Sequence, residues 1–133
     1  MFEWKPEYSV QIPAIDTQHQ RLFALAAELH TAMAQGEGRI ALQKGLNSLV
    51  DYTKTHFRDE EELMRKYGYP KFSDHKVEHE KLTAQVLEFQ ERFIRHEACL
   101  TIDLMMFLQT WLHRHIKGSD RKYAAHINSQ AAA

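Results

Sequence analysis

Two pairs of residues in this sequence have the types and spacing to share a metal ion. His56 and Glu60 stand four apart, and so do His75 and His79. In an α-helix, residues four apart share a face about one turn apart, so each pair can aim two donor atoms at one point. Gly68-Tyr69-Pro70 lies between the pairs, a break that folds one helix back beside the next. Three imidazoles and a carboxylate then face one another across two antiparallel helices. His19, His115 and Asp120 enlarge the set to five imidazoles and two carboxylates.

Seven ligands crowd one metal but suit two. A carboxylate has two oxygens and can bridge, whereas an imidazole is a terminal ligand. Five histidines split three and two, with a solvent-derived oxide or hydroxide as a further bridge, make one centre six-coordinate and the other five-coordinate. The vacancy is where a small ligand would bind. Asp120 is the difficult member, because five residues of regular helix place it about 140° around from His115. A distorted or broken helix at Gly118, using backbone angles open to glycine, is therefore expected to swing Asp120 inward. A lone inward histidine in a bundle is more often a hydrogen-bonded core residue, and a Leu/Phe stripe is core before it is pocket. Joint occurrence favours the metal, since burying seven such groups without one carries a large desolvation cost.

The elements that must position these residues can be read from apolar spacing. An arm over residues 1–15, with Phe2, Trp4 and Tyr8, is not helical in pattern and should pack on the rest. Asp16 is the expected N-cap of a first helix to about Gln35, with Leu22, Phe23, Ala26, Leu29 and Met33 inward. A second helix spans about 39–66, with Leu42, Leu46, Leu49 and Thr53 leading to His56 and Glu60. Its neighbours Asp59, Glu61 and Glu62 are expected to face water. A third helix covers about 72–96, carrying His75, His79, Leu82, Val86, Phe89 and Phe93 on one face. The connection follows at about 97–100. A fourth helix over about 101–117 faces Leu104, Leu108, Trp111, Leu112 and His115 inward and stops at Gly118, before a short terminal helix at about 120–128. Four amphipathic helices with short connections predict an all-α, antiparallel up-down-up-down bundle forming a single domain. Early positions on the first and third helices then lie level with late positions on the second and fourth, which puts His19, His75, His56 and His115 at one depth.

The remaining histidines fit the pattern less well. His113 falls on the far side of its helix from His115, and His96 and His126 fall near helix ends, suited to solvated or capping roles. His30 lies about 16 Å along the His19 stripe. Composition narrows the function. Seventeen Lys and Arg against 18 Asp and Glu give no basic surface for nucleic acid or an anionic membrane. The most apolar run, LMMFLQTWL, is too short to span a bilayer, and MFEWKPEY lacks the features of a signal peptide. The single cysteine, Cys99, allows no intrachain disulfide and points to the cytoplasm.

Taken together, Asp16-x-x-His19, His56-Phe57-x-x-Glu60-Glu61, Gly68-Tyr69-Pro70, His75-x-x-x-His79 and His115-x-x-x-x-Asp120 resemble the single-domain bacterial members of the hemerythrin-like family. The resemblance covers nearly the whole chain, and no ligand of the pattern is missing. It implies a non-haem di-iron centre that binds O₂ reversibly. It implies that His75, His79 and His115 hold the saturated iron and His19 and His56 the iron with the open position. Glu60 and Asp120 would bridge the two Fe ions together with an oxo or hydroxo group.

The ligand balance agrees with carriage, because neutral imidazoles favour ferrous iron while the carboxylate-rich sites of ferritin-like enzymes favour higher oxidation states. Leu22, Phe57, Trp111, Leu112 and Ile116 adjoin the ligands or lie one turn away, and are the candidate O₂ pocket. A dry pocket would limit proton access. The leading expectation is an O₂ carrier or store, not an enzyme, expected to be a monomer and delivering to an oxygen-consuming enzyme. The alternatives are a sensor of O₂, NO or iron, for whose fused signalling domain this sequence leaves no room, and a di-iron enzyme acting on peroxide or NO.

Overall fold

The computed structural model describes residues 2–95 and 100–132. His96, Cys99 and the connection expected from Glu97 lie outside the described residues. Among the described residues, five α-helices follow a 3-10 turn at Pro6–Tyr8: α1 Pro13–Ala34, α2 Arg39–Lys66, α3 Phe72–Ile94, α4 Leu100–His115 and α5 Arg121–Ala132. A π-helical turn, Ile116–Asp120, joins α4 to α5. α1 packs on α2, α2 on α3, α3 on α4, and α4 returns to α1, closing an antiparallel four-helix bundle. Among the described residues, no helix is long and apolar enough to cross a membrane.

α1 begins three residues before the expected start. Pro13 occupies the first turn, where its fixed φ suits a helix and its missing N–H is no loss. Asp16 is therefore inside the helix and not its cap. Its carboxylate accepts from Ser9 Oγ at 2.6 Å and from the Val10 N–H at 2.8 Å, which pins the arm to α1. The arm is also strapped to the far end of the chain: Lys117 pairs with Glu7 at 3.2 Å, and Arg121 donates to the Glu7 carbonyl.

Two glycines close the first two hairpins in the same way. Gly36 and Gly68 adopt φ of +65° and +61°, which side chains with a Cβ rarely reach. After each, the chain turns back to bond the last free carbonyls: Glu37 N–H to Ala32 O at 3.0 Å, and Tyr69 N–H to Met64 O at 3.0 Å. The core runs along the bundle axis through Leu22, Leu29, Leu46, Leu49, Val86, Leu104 and Leu108. A smaller cluster of Met64, Tyr123 and Ile127 seats α5 against α2. The α5 residue His126 caps α2 from there, bonding the Tyr67 carbonyl at 3.0 Å from the middle of its helix.

Candidate metal centre

α4 does not stop at Gly118. It passes into the π turn and on into α5 as one helical path, in place of the two helices expected from the sequence. The expected distortion is there, but its mechanism differs. Gly118 is not among the residues with positive φ, so no left-handed angle is used. Each π bond instead reaches back to the fifth residue, inserting one residue into the turn, so residues five apart come round to one face. His115 and Asp120 thereby approach to 3.1 Å between Nε2 and Oδ1.

All seven sequence-derived side chains meet in one buried cluster, each between 0 and 8 % exposed. Asp120 divides its oxygens: Oδ1 faces His75 Nε2 at 3.0 Å and His115 Nε2 at 3.1 Å, while Oδ2 faces His19 Nε2 at 3.2 Å. Glu60 turns Oε1 toward His56 Nε2 at 3.1 Å and His79 Nε2 at 3.3 Å, and Oε2 toward His19 Nε2 at 3.5 Å. His75 Nε2 and His79 Nε2 lie 3.0 Å apart. Donor atoms sort into two groups, each within 4.8 Å: Glu60, His75, His79, His115 and Asp120, and then His19, His56, Glu60 and Asp120.

The donor set fits metal ions. Bonds of about 2.1 Å at right angles put neighbouring donors about 3.0 Å apart, the separation seen between several of these atoms. Six buried atoms lack an aligned hydrogen-bond partner among the described residues: both nitrogens of His19, Glu60 Oε1, His115 Nε2 and both Asp120 oxygens. Such atoms are costly in an interior unless something binds them. Imidazole with carboxylate suits divalent first-row transition metals.

A family model described as the hemerythrin HHE cation binding domain matches residues 10–127. The chain belongs to the hemerythrin family. It is 37% identical over 132 residues to a bacteriohemerythrin of Stenotrophomonas maltophilia, covering 96% of this chain and 85% of that one. A bacteriohemerythrin of Methylococcus capsulatus is 36% identical over 117 residues, 88% of each chain. A crystal structure of wild-type hemerythrin superposes with a TM-score of 0.87 at 34% identity, covering 94% of this chain and 96% of that one.

Around this hemerythrin cluster, the outward nitrogens decide which way the imidazoles face. His56 Nδ1 donates to Gln18 Oε1 at 2.7 Å, and His79 Nδ1 donates to Glu61 Oε2 at 3.1 Å. With the proton on Nδ1, the lone pair of Nε2 points inward. Tyr123, wholly buried, donates to Glu60 Oε2 at 2.6 Å. Burial, then the charges of Glu60 and Asp120, push its phenol far above its ordinary value, so it stays a donor.

Asp59 and Glu61 do not face water as expected. Asp59 accepts from Gln18 Nε2 at 3.1 Å, and Glu61 holds His79. Both sit on flanks of α2, which the neighbouring helices cover; Glu62, one residue further round, is exposed. Of these contacts, Tyr123 alone had a readable signal, lying three residues beyond Asp120 on the same helical face.

Metal-free, the cluster holds its charge by mutual attraction. Burial opposes protonation of His19, but Asp120 and Glu60 overcome it and hold the imidazole up at about 10. Burial also resists ionisation of Glu60, yet His56, His19 and His79 keep its carboxyl well below the usual range. In Asp120, burial and then the Glu60 charge push upward, and His115 and His19 outweigh them.

Leu22, Phe57, Trp111, Leu112 and Ile116 are all buried. The Phe57 ring stacks on His79 at 3.9 Å and meets Trp111 edge-on at 5.8 Å, which sets both against the three-histidine group; Phe57 also lies 5.8 Å from the His56 ring. Trp111 and His115 line a cavity of about 290 Å³ between α3 and α4, and Leu112 lines another of about 330 Å³ under the arm with Tyr8 and Phe23. The other described histidines stand apart from the cluster. His113 is exposed and bonds the Tyr8 hydroxyl at 3.2 Å, and half-buried His30 meets the Phe2 ring edge at 6.0 Å.

Proposed function

We propose that this chain binds O₂ reversibly at two non-haem irons and serves as a carrier, store or donor of O₂, not as an enzyme. The observation that carries this is the division of donors. Three imidazoles gather with both carboxylates, and the other two imidazoles gather with the same two carboxylates. His75, His79 and His115 would hold one iron and His19 and His56 the other, with Glu60 and Asp120 as bridges beside an oxo or hydroxo group. Counting that group, the first iron would have six donors and the second five, which would leave a position beside His19 and His56 for a small ligand. A ferrous pair supplies the two electrons that O₂ binding needs.

The protein's own residues do the rest. Gln18 and Glu61 keep the Nε2 lone pairs of His56 and His79 turned inward, and a surplus of imidazole over carboxylate favours the ferrous state over higher ones. Tyr123 orients Glu60. Leu22, Phe57, Trp111, Leu112 and Ile116 belong to the buried apolar core, and as the O₂ pocket they would limit the water and protons that turn binding into oxidation. Sparing use of cysteine agrees with a cytoplasmic setting.

Loading with ferrous iron under nitrogen should give about two irons per chain, and O₂ should then raise a charge-transfer band that disappears when O₂ is pumped away. Stable binding of a single metal, or irreversible oxidation with turnover of an added substrate, would overturn the proposal.

A further inference from the structure

Among the described residues, His56 and His79 make outward hydrogen bonds of unlike chemistry. His79 Nδ1 donates directly to a carboxylate, Glu61 Oε2, at 3.1 Å. His56 Nδ1 donates to an amide, Gln18 Oε1, at 2.7 Å, and the same amide passes on through Nε2 to Asp59 Oδ2 at 3.1 Å. An ionised carboxylate only accepts, so Asp59 requires the NH₂ end of Gln18. The oxygen end must then face His56, which puts the proton on Nδ1 and the lone pair of Nε2 in the centre. Gln18 is half-buried in the crevice between α1 and α2, where both ends are used.

A carboxylate acceptor makes an imidazole a stronger electron donor than a neutral amide does. We propose that Gln18 is a positioning residue for His56, and that its neutral amide, set against the Glu61 carboxylate, keeps the two-histidine side the weaker donor and the more easily reduced. The inference rests on the di-iron reading above and adds to it which residue tunes the iron with the open position.

The test uses the full chain carrying Gln18→Leu, Gln18→Glu or Glu61→Gln. The first measurement needs no O₂: cobalt(II) retention against a competing chelator. Gln18→Leu should weaken the more labile cobalt by roughly 10-fold or more, and Gln18→Glu, which can still accept from His56, should restore it. The second is the reduction potential of the iron-loaded protein. Gln18→Glu should lower it, and Glu61→Gln should raise it. Unchanged cobalt retention in Gln18→Leu, or an unmoved potential in Gln18→Glu, overturns the proposal. Should Gln18→Leu fail to fold, the potential of Gln18→Glu decides. If the chain holds cobalt as described but never binds O₂ when iron-loaded, the O₂ reading falls and the role of Gln18 stands.

Discussion

At the end of the bundle closed by the Gly36 turn, the interior is hydrocarbon: Leu29, Leu46, Leu49, Val86 and Leu104 are almost wholly buried. At the end closed by the Gly68 turn, the same four helical stripes carry five imidazoles and two carboxylates, equally buried. Both hairpin turns use a glycine at positive φ with the same carbonyl bonds behind it. What differs is how each interior is satisfied. The apolar end gains about 25 cal/mol for each Å² it removes from water and needs nothing else. The polar end leaves six buried atoms without aligned partners among the described residues, atoms that a bound metal would satisfy. One half is therefore built to fold, and the other to be completed.

Asp120→Ala should have the largest effect, because Asp120 faces both donor groups at once. Metal stoichiometry should fall, and with it the stabilisation by bound metal, about 4 kcal/mol at a thousandfold excess over Kd. Metal analysis and thermal melts with and without iron check this; an Asp120→Ala protein that still binds two metals would erase the contrast between the ends.

Leu46→Ala should do the reverse. It should cost about 3 kcal/mol by leaving a cavity, yet keep the metal content unchanged, because Leu46 lies about 15 Å along α2 from His56.

Smaller, and confined to the metal-free protein, is a pH effect. His19 is raised from 6.5 to about 10, so its contribution is whole below 6.5 and lost as pH rises through about 10. Glu60 and Asp120 are lowered, so theirs is present above the ordinary carboxylate range and lost only as pH falls through their depressed values. Tm of the metal-free chain should therefore fall as pH rises from about 6.5 to about 10, while the metal-loaded chain, whose Nε2 atoms carry no proton, should not follow.

Gly118→Ala should have the smallest effect, a gain of about 0.5–1 kcal/mol with metal content unchanged. Gly118 has no positive φ, and a Cβ there would meet nothing within 4 Å. Loss of metal in that variant would show that the π turn needs glycine after all.

The apolar end was legible almost residue by residue, because Leu29, Leu46, Leu49, Leu104 and Leu108 follow the helical period. At the polar end, the convergence of His56 with Glu60 and of His75 with His79 was legible for the same reason. Asp16 was misplaced because a capping residue and a residue that clamps the arm look alike in sequence, and Pro13 starts the helix three residues earlier. Asp59 and Glu61 were misread because periodicity tells which face of its own helix a side chain occupies, not which neighbour covers that face.

By itself the sequence determined that the chain is helical, how its apolar stripes run, and that seven metal-competent side chains stand where helical repeats can bring them level. These are local properties, set by residues three, four and seven apart on one helix. The tertiary structure alone decided that α4 runs through a π turn into α5 and that Gln18 and Glu61 hold unlike imidazoles. Those contacts depend on which helix lies against which, and at what rotation, and packing of the whole bundle sets both.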